Sequence, residues 1–78
     1  MVNLVFSSAN YQVVEYPELA AFELVDNRRG TGGLLSGAVA DRFRSSMEDV
    51  FAHNPTEEDV EDVIEHFDAL LMQPLHFH

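Results

Sequence analysis

The sequence predicts an α+β fold, an antiparallel β-meander of three or four strands followed by a two-helix hairpin packed on one sheet face. Three observations point there. Short runs rich in Val, Phe and Tyr fill the first third of the chain, each closed by turn-favouring residues. The second half carries two stretches with apolar residues at helical spacing, separated by Asn54-Pro55. With 46% hydrophobic and 23% charged residues and no low-complexity tract, the 78 residues read as one small folded domain, 1–78, and not as an acidic disordered tail.

The first strand, about 2–7, rests on Val2, Leu4 and Phe6 alternating with Asn3, Val5 and Ser7. Ser8-Ala9-Asn10 turns the chain into a second strand, 11–16, and the two make a hairpin. Pro17-Glu18 breaks that run, and a third strand over about 20–26 carries Phe22 and Leu24 before the Asp26-Asn27 turn. Arg28 to Gly33 reads as a loop, after which Leu34-Leu35 allow a short fourth strand near 33–36, weakened by its glycines.

A first helix, about 38–53, places Val39, Phe43, Met47, Val50 and Phe51 on one stripe, with Ser36 or Gly37 as its cap. Thr56-Glu-Glu-Asp59 then reads as a capping box that opens a second helix, about 57–72, with three acids at the positive end of its dipole. Val60, Ile64, Phe67 and Leu71 form the centre of its buried side, and Gln73-Pro74 ends it. The tail Leu75–His78 alternates and either adds a short edge strand or frays.

Charge narrows the function classes. Fourteen acids face four arginines and no lysine, a formal charge of −10, which argues against binding nucleic acid or an anionic membrane through bulk charge. The stretch from Asn27 to Met47 carries +3, four arginines against Asp41, and leaves −13 elsewhere, so the molecule is electrically polarised. The absence of cysteine excludes a disulfide framework and thiolate metal sites. No stretch approaches the ~20 apolar residues of a membrane span, and no signal peptide is legible, so a cytoplasmic location is expected.

Several short motifs occur together: Asn10-Tyr11, Val13-Val14-Glu15-Tyr16, Glu23-Leu24-Val25-Asp26, Ala40-Asp41-Arg42-Phe43, and Phe67-Asp68-Ala69-Leu70 followed by Gln73-Pro74. In these the chain resembles a family of short beta-proteobacterial proteins of unknown function, over nearly its whole length. The resemblance implies a stand-alone bacterial protein of α+β type. It brings no established activity, ligand or partner, so no functional residue is carried over. Gly30-Thr-Gly-Gly33 departs from the family, whose members carry a more apolar, strand-like segment there.

The residues themselves offer four candidates for chemistry. Gly32 and Gly37 have phosphate-loop spacing, but Ala38 and Val39 stand where lysine and a hydroxyl are needed, and the dinucleotide pattern fails at Leu35, so no nucleotide cofactor is expected. Asp62 and His66, one helical turn apart, point towards a metal site only if His76 and His78 join them; surface histidines are the simpler reading, and no metal is assigned. None of Ser7, Ser8, Ser36, Ser45 and Ser46 has a nucleophile's sequence context, and so short a chain has little core with which to wall off a cleft, so the protein is not expected to be an enzyme. Arg42 and Arg44 are expected to pair with the second helix, near Asp68 and Glu65 respectively, while the loop pair Arg28 and Arg29 is as well suited to a partner's phosphate or carboxylate.

The second helix carries the strongest candidate. On a wheel of ~100° per residue Glu58, Asp62 and Glu65 lie opposite the apolar side, with Glu57, Glu61 and Asp68 on one flank. Like charges at i and i+4 cost ~0.2–0.5 kcal/mol per pair, and no lysine relieves them. Dipole complementation explains Glu57, Glu58 and Asp59; solubility and docking of a protein partner are equally good accounts of the rest. The leading expectation is a non-catalytic interaction or regulatory protein whose partner-binding residues are Glu58, Glu61, Asp62, Glu65, Arg28 and Arg29. The alternative is a small metal- or ligand-binding protein using His66, His76 and His78. The sheet face away from the helices, with either Tyr11 and Val13 or Val14 and Tyr16, also fits a homodimer contact.

Overall fold

In the computed structural model, which describes residues 1–71, four strands form one antiparallel sheet in chain order: β1 (Asn3–Ser7), β2 (Tyr11–Tyr16), β3 (Ala21–Asp26) and β4 (Thr31–Leu35). Helices α1 (Gly37–Phe51) and α2 (Glu57–Leu71) follow and cover one face. The fold is the α+β meander and helical hairpin that the sequence predicts. The edge strand expected at the tail lies outside the described residues.

Two strands differ from expectation. In β1, Leu4 pairs with Val14 but Phe6 pairs with Val13, so a bulge sets both Val5 and Phe6 opposite one residue. Val5 and Phe6 pack against the core, whereas Leu4 turns to the open face and is 60% exposed. Simple alternation of Val2, Leu4 and Phe6 therefore fails. The fourth strand starts at Thr31, earlier than expected, and takes in Gly32 and Gly33. Gly33 pairs with Leu24, and a Cβ there would come within 2.7 Å of Leu71 Cδ1. The glycine thus belongs to the packing of α2 on the sheet, not to a loop.

The core is built from Tyr11, Val13, Phe22, Leu24 and Leu35 of the sheet, Ala40, Phe43 and Met47 of α1, and Val60, Ile64 and Phe67 of α2. Phe43 sits at its centre, edge-on to Phe22 at 5.0 Å and to Phe67 at 5.1 Å between ring centroids. The stripe of α1 is rotated from the expected one. Ala40 is buried where Val39 was expected, and Val39 and Phe51 are exposed. Small Ala40 lets the first turn of α1 approach the sheet.

The capping box forms as expected: Thr56 Oγ1 accepts the Asp59 amide at 3.1 Å, and the Asp59 carboxylate accepts the Thr56 amide at 3.0 Å. Asn54, with φ of 52°, supplies the left-handed residue between the helices. Both helices cross the strands. α1 lies towards the end of the sheet that holds Glu15 and Phe22, where Arg44 reaches both. α2 spans the other end, from the β1–β2 turn at Glu61 to β4 at Leu71.

Candidate functional site

Two buried carboxylates and two arginines meet at the α2 end of the sheet. Asp26 closes β3 and is 1% exposed. Its Oδ1 accepts the amides of Arg28 at 2.9 Å and Arg29 at 3.2 Å, while its carbonyl accepts the Gly30 amide at 2.9 Å. This is an Asx turn, closed by Gly30 in the left-handed region. The two guanidinium groups lie near the same carboxylate, each with Nε 3.7 Å from it, yet both side chains remain at least half exposed. Arg28 also donates to the buried Tyr11 hydroxyl at 2.6 Å and lies over its ring.

Beside this turn, α2 places Asp68, 7% exposed. Burial pushes its carboxyl above the usual aspartate range, Asp26 pushes it further, and Arg29 and Arg28 pull it partly back. Burial likewise raises the Tyr11 phenol, against the opposing pull of Arg28. Asp26 Oδ2 and the Thr31 hydroxyl, on registered residues of β3 and β4, are buried without hydrogen-bond partners among the described residues.

The acids of α2 divide into three groups. Glu61 is half-buried and held: the Ser8 hydroxyl donates to it, and the Asn10 amide donates to its two oxygens at 3.2 and 3.3 Å. Ser8 Oγ in turn accepts the amides of Asn10 and Tyr11, so a turn of the sheet and a turn of the helix are tied together. Glu65 is exposed and close enough to act electrostatically on Arg28 and Tyr11. Glu58 and Asp62 stand outward, exposed, with neither an ion pair nor a hydrogen bond from their side chains among the described residues.

Among the expected site residues, the fold therefore brings Arg28, Arg29 and Glu65 to one corner and leaves Glu58 and Asp62 on the ridge beyond. Glu61 faces the sheet. The cross-helix pairs expected for the α1 arginines do not form. Arg44 bonds Glu15 at 2.7 Å and covers the Phe22 ring at 5.0 Å, because α1 directs it to β2 and not to α2. Arg42 is exposed, and Asp68 faces the sheet and the β3–β4 loop.

Sequence reasoning missed Asp26 and Asp68 as buried acids. Asp26 carried only a turn signal, and Asp68 sits next to Phe67 on the rim of the apolar stripe. Among the described residues no three His, Asp or Glu side chains gather as a metal-holding group. His66 lines a shallow hollow with Asp62, Ser46, Val63 and Phe67, and His76 and His78 lie outside the described residues, so the metal-binding alternative gains no support. An open groove of about 480 Å³ at the α1 end is walled by Val5, Phe22, Met47 and Phe51 with the Glu15–Arg44 pair at its side.

A four-stranded meander capped by a helical hairpin, with an acidic second helix beside an arginine-bearing loop, defines a class of small α+β proteins and not a chemistry. The chain belongs to the family described as Protein of unknown function (DUF3567), whose match covers residues 1–78. It is similar to Protein BTH_I0359 of Burkholderia thailandensis, 27% identical over 85 residues that cover 99% of this chain and 100% of the relative. No solved structure matches it. Among the described residues no helix is long and apolar enough to cross a membrane.

Proposed function

We propose that this protein is a small, cytoplasmic, non-catalytic interaction protein that binds a protein partner through the bipolar surface of α2 and the β3–β4 loop. Glu58, Asp62 and Glu65 present the negative part, and Arg28 and Arg29 the positive part beside it. One observation carries the reading: Glu58 and Asp62 stand exposed with neither an ion pair nor a side-chain hydrogen bond among the described residues, whereas three neighbouring acids have structural work. Asp59 caps α2, Glu61 ties it to the β1–β2 turn, and Asp26 organises the loop. Glu58 and Asp62 are spaced at i and i+4, which costs ~0.2–0.5 kcal/mol of helix stability without relief from a cation. A partner with a basic patch removes that repulsion on binding.

The test places a photo-crosslinking residue at Asp62 and, separately, at Ser45, exposed on α1, in cells that make the protein naturally. A defined adduct is expected from position 62 and not from position 45. In lysate that adduct should fall several-fold when salt is raised to about 0.5 M, where the Debye length is about 4 Å. It should fall likewise when E58Q and E65Q are added to the same probe-bearing chain. An adduct indifferent to salt and to both substitutions, or the same products from both positions, overturns the reading.

A further inference from the structure

We infer that the open face of the sheet is a self-association surface, occupied by the same face of a second copy of this chain. The strand register puts Leu4, Val14, Glu23 and Leu34 in one row across all four strands on the side away from the helices. Leu4 and Leu34, at the two edges, are 60% and 54% exposed. At one end the row adjoins a hollow lined by Met1, Val2, Tyr16 and Leu19, of which Met1, Val2 and Leu19 are exposed. Five of the eight large hydrophobic residues exposed among the described residues therefore lie on or beside this face.

Charge identifies the occupant. In a chain of net charge −10, the strands offer this face a single ionisable acid, Glu23, and its carboxylate accepts the Tyr16 hydroxyl at 2.8 Å. Glu18 at the rim is paired with the chain's own amino terminus. The face carries no arginine to meet an acidic partner and no ridge of acids to meet a basic one. A second copy is repelled from the helical side and meets almost no like charge here. Turning the copy about an axis parallel to the strands sets Leu4 against the partner's Leu34 and Glu23 against the partner's Val14, so the contact is self-complementary.

Area sets its strength. Four strands at about 4.8 Å spacing and six residues at about 3.3 Å give a face about 19 Å by about 20 Å. With side-chain relief and the flanking hollow this reaches the low end of specific interfaces, about 1,000 Å² in total, below the ~1,600 Å² of a standard one. A contact of this size belongs with reversible, concentration-dependent interfaces.

Sedimentation equilibrium on the full chain tests this. The mass is expected to climb from 8.8 kDa towards twice that value with concentration. Salt should strengthen the dimer by screening repulsion between two acidic chains, the reverse of its effect on ridge-mediated binding. L4E/L34E should stay at monomer mass throughout with an unchanged circular dichroism spectrum. Because the chain has no cysteine, L34C provides a second readout: its alkylation should slow several-fold as concentration rises, while S45C is unaffected. A wild-type mass of 8.8 kDa at every soluble concentration overturns the inference, as does a dimer in which position 34 stays equally reactive.

Discussion

The two ends of the sheet are packed by different physics. At the α1 end the burial is apolar: Phe22, Phe43 and Met47 fill the layer, and the Glu15–Arg44 ion pair sits at its rim with Arg44 40% exposed. At the α2 end, Asp26 and Asp68 are buried beside Tyr11, and two arginines lie over them. The apolar end gains free energy from every contact. The polar end gains specificity of the β3–β4 loop and must offset the desolvation of two carboxylates. In so short a chain this division means that stability and loop geometry respond to different substitutions.

The largest expected effect lies at the first end. Phe43 is completely buried and meets Phe22 and Phe67 edge-on. Phe43→Ala should cost about 3–5 kcal/mol, most of the stability of a domain this size. Urea denaturation followed by circular dichroism measures it; a loss below about 1 kcal/mol would mean that the aromatic centre is not what holds the layers together.

A smaller, differently distributed effect is expected at the second end. Asp26→Ala removes the acceptor of two backbone amides and the counter-charge of two guanidinium groups, at a cost of about 2 kcal/mol. Hydrogen exchange should quicken first at Arg28 to Gly30, with the amides of α1 following only the global change. Uniform loss across the molecule would show that the carboxylate supports the core and not the loop.

This division bears on what the sequence could reveal. The meander, both helices, the capping box and the turn at Asn54 follow from local rules, which read neighbours in the chain. Gly33 was misread because its reason is Leu71, which meets it only after α2 has docked. Alternation along β1 does not separate Leu4 from Phe6, because the bulge that sends them to opposite faces depends on how β1 pairs with β2. Glu61 reads as a surface acid in the sequence; its hydrogen-bond donors, Ser8 and Asn10, lie 53 and 51 residues away in the chain. The exposure of Glu58 and Asp62 was legible because a helical wheel needs only the helix itself.

The smallest effect is expected at Asp68, whose buried carboxyl carries a desolvation cost that the apolar end lacks. Burial and the nearby Asp26 carboxylate hold the Asp68 pKa above its ordinary value. Between the unfolded value, near ~4, and the raised folded one, the folded chain keeps a proton that the unfolded chain has released. Stability contributed by this group therefore falls as pH rises through that window, and is regained on acidification, opposite to a salt-bridged carboxylate. Asp68→Asn removes this dependence while keeping shape. The wild-type protein should thus gain stability relative to Asp68→Asn as pH is lowered from 7 towards the ordinary aspartate range, measured by urea unfolding at each pH. Adding Asp26→Asn to both proteins should reduce the difference, since one of the charges opposing Asp68 ionisation is gone. A stability difference that stays level with pH would mean that Asp68 reaches solvent in the folded state, and the two ends of the sheet would then differ in shape alone.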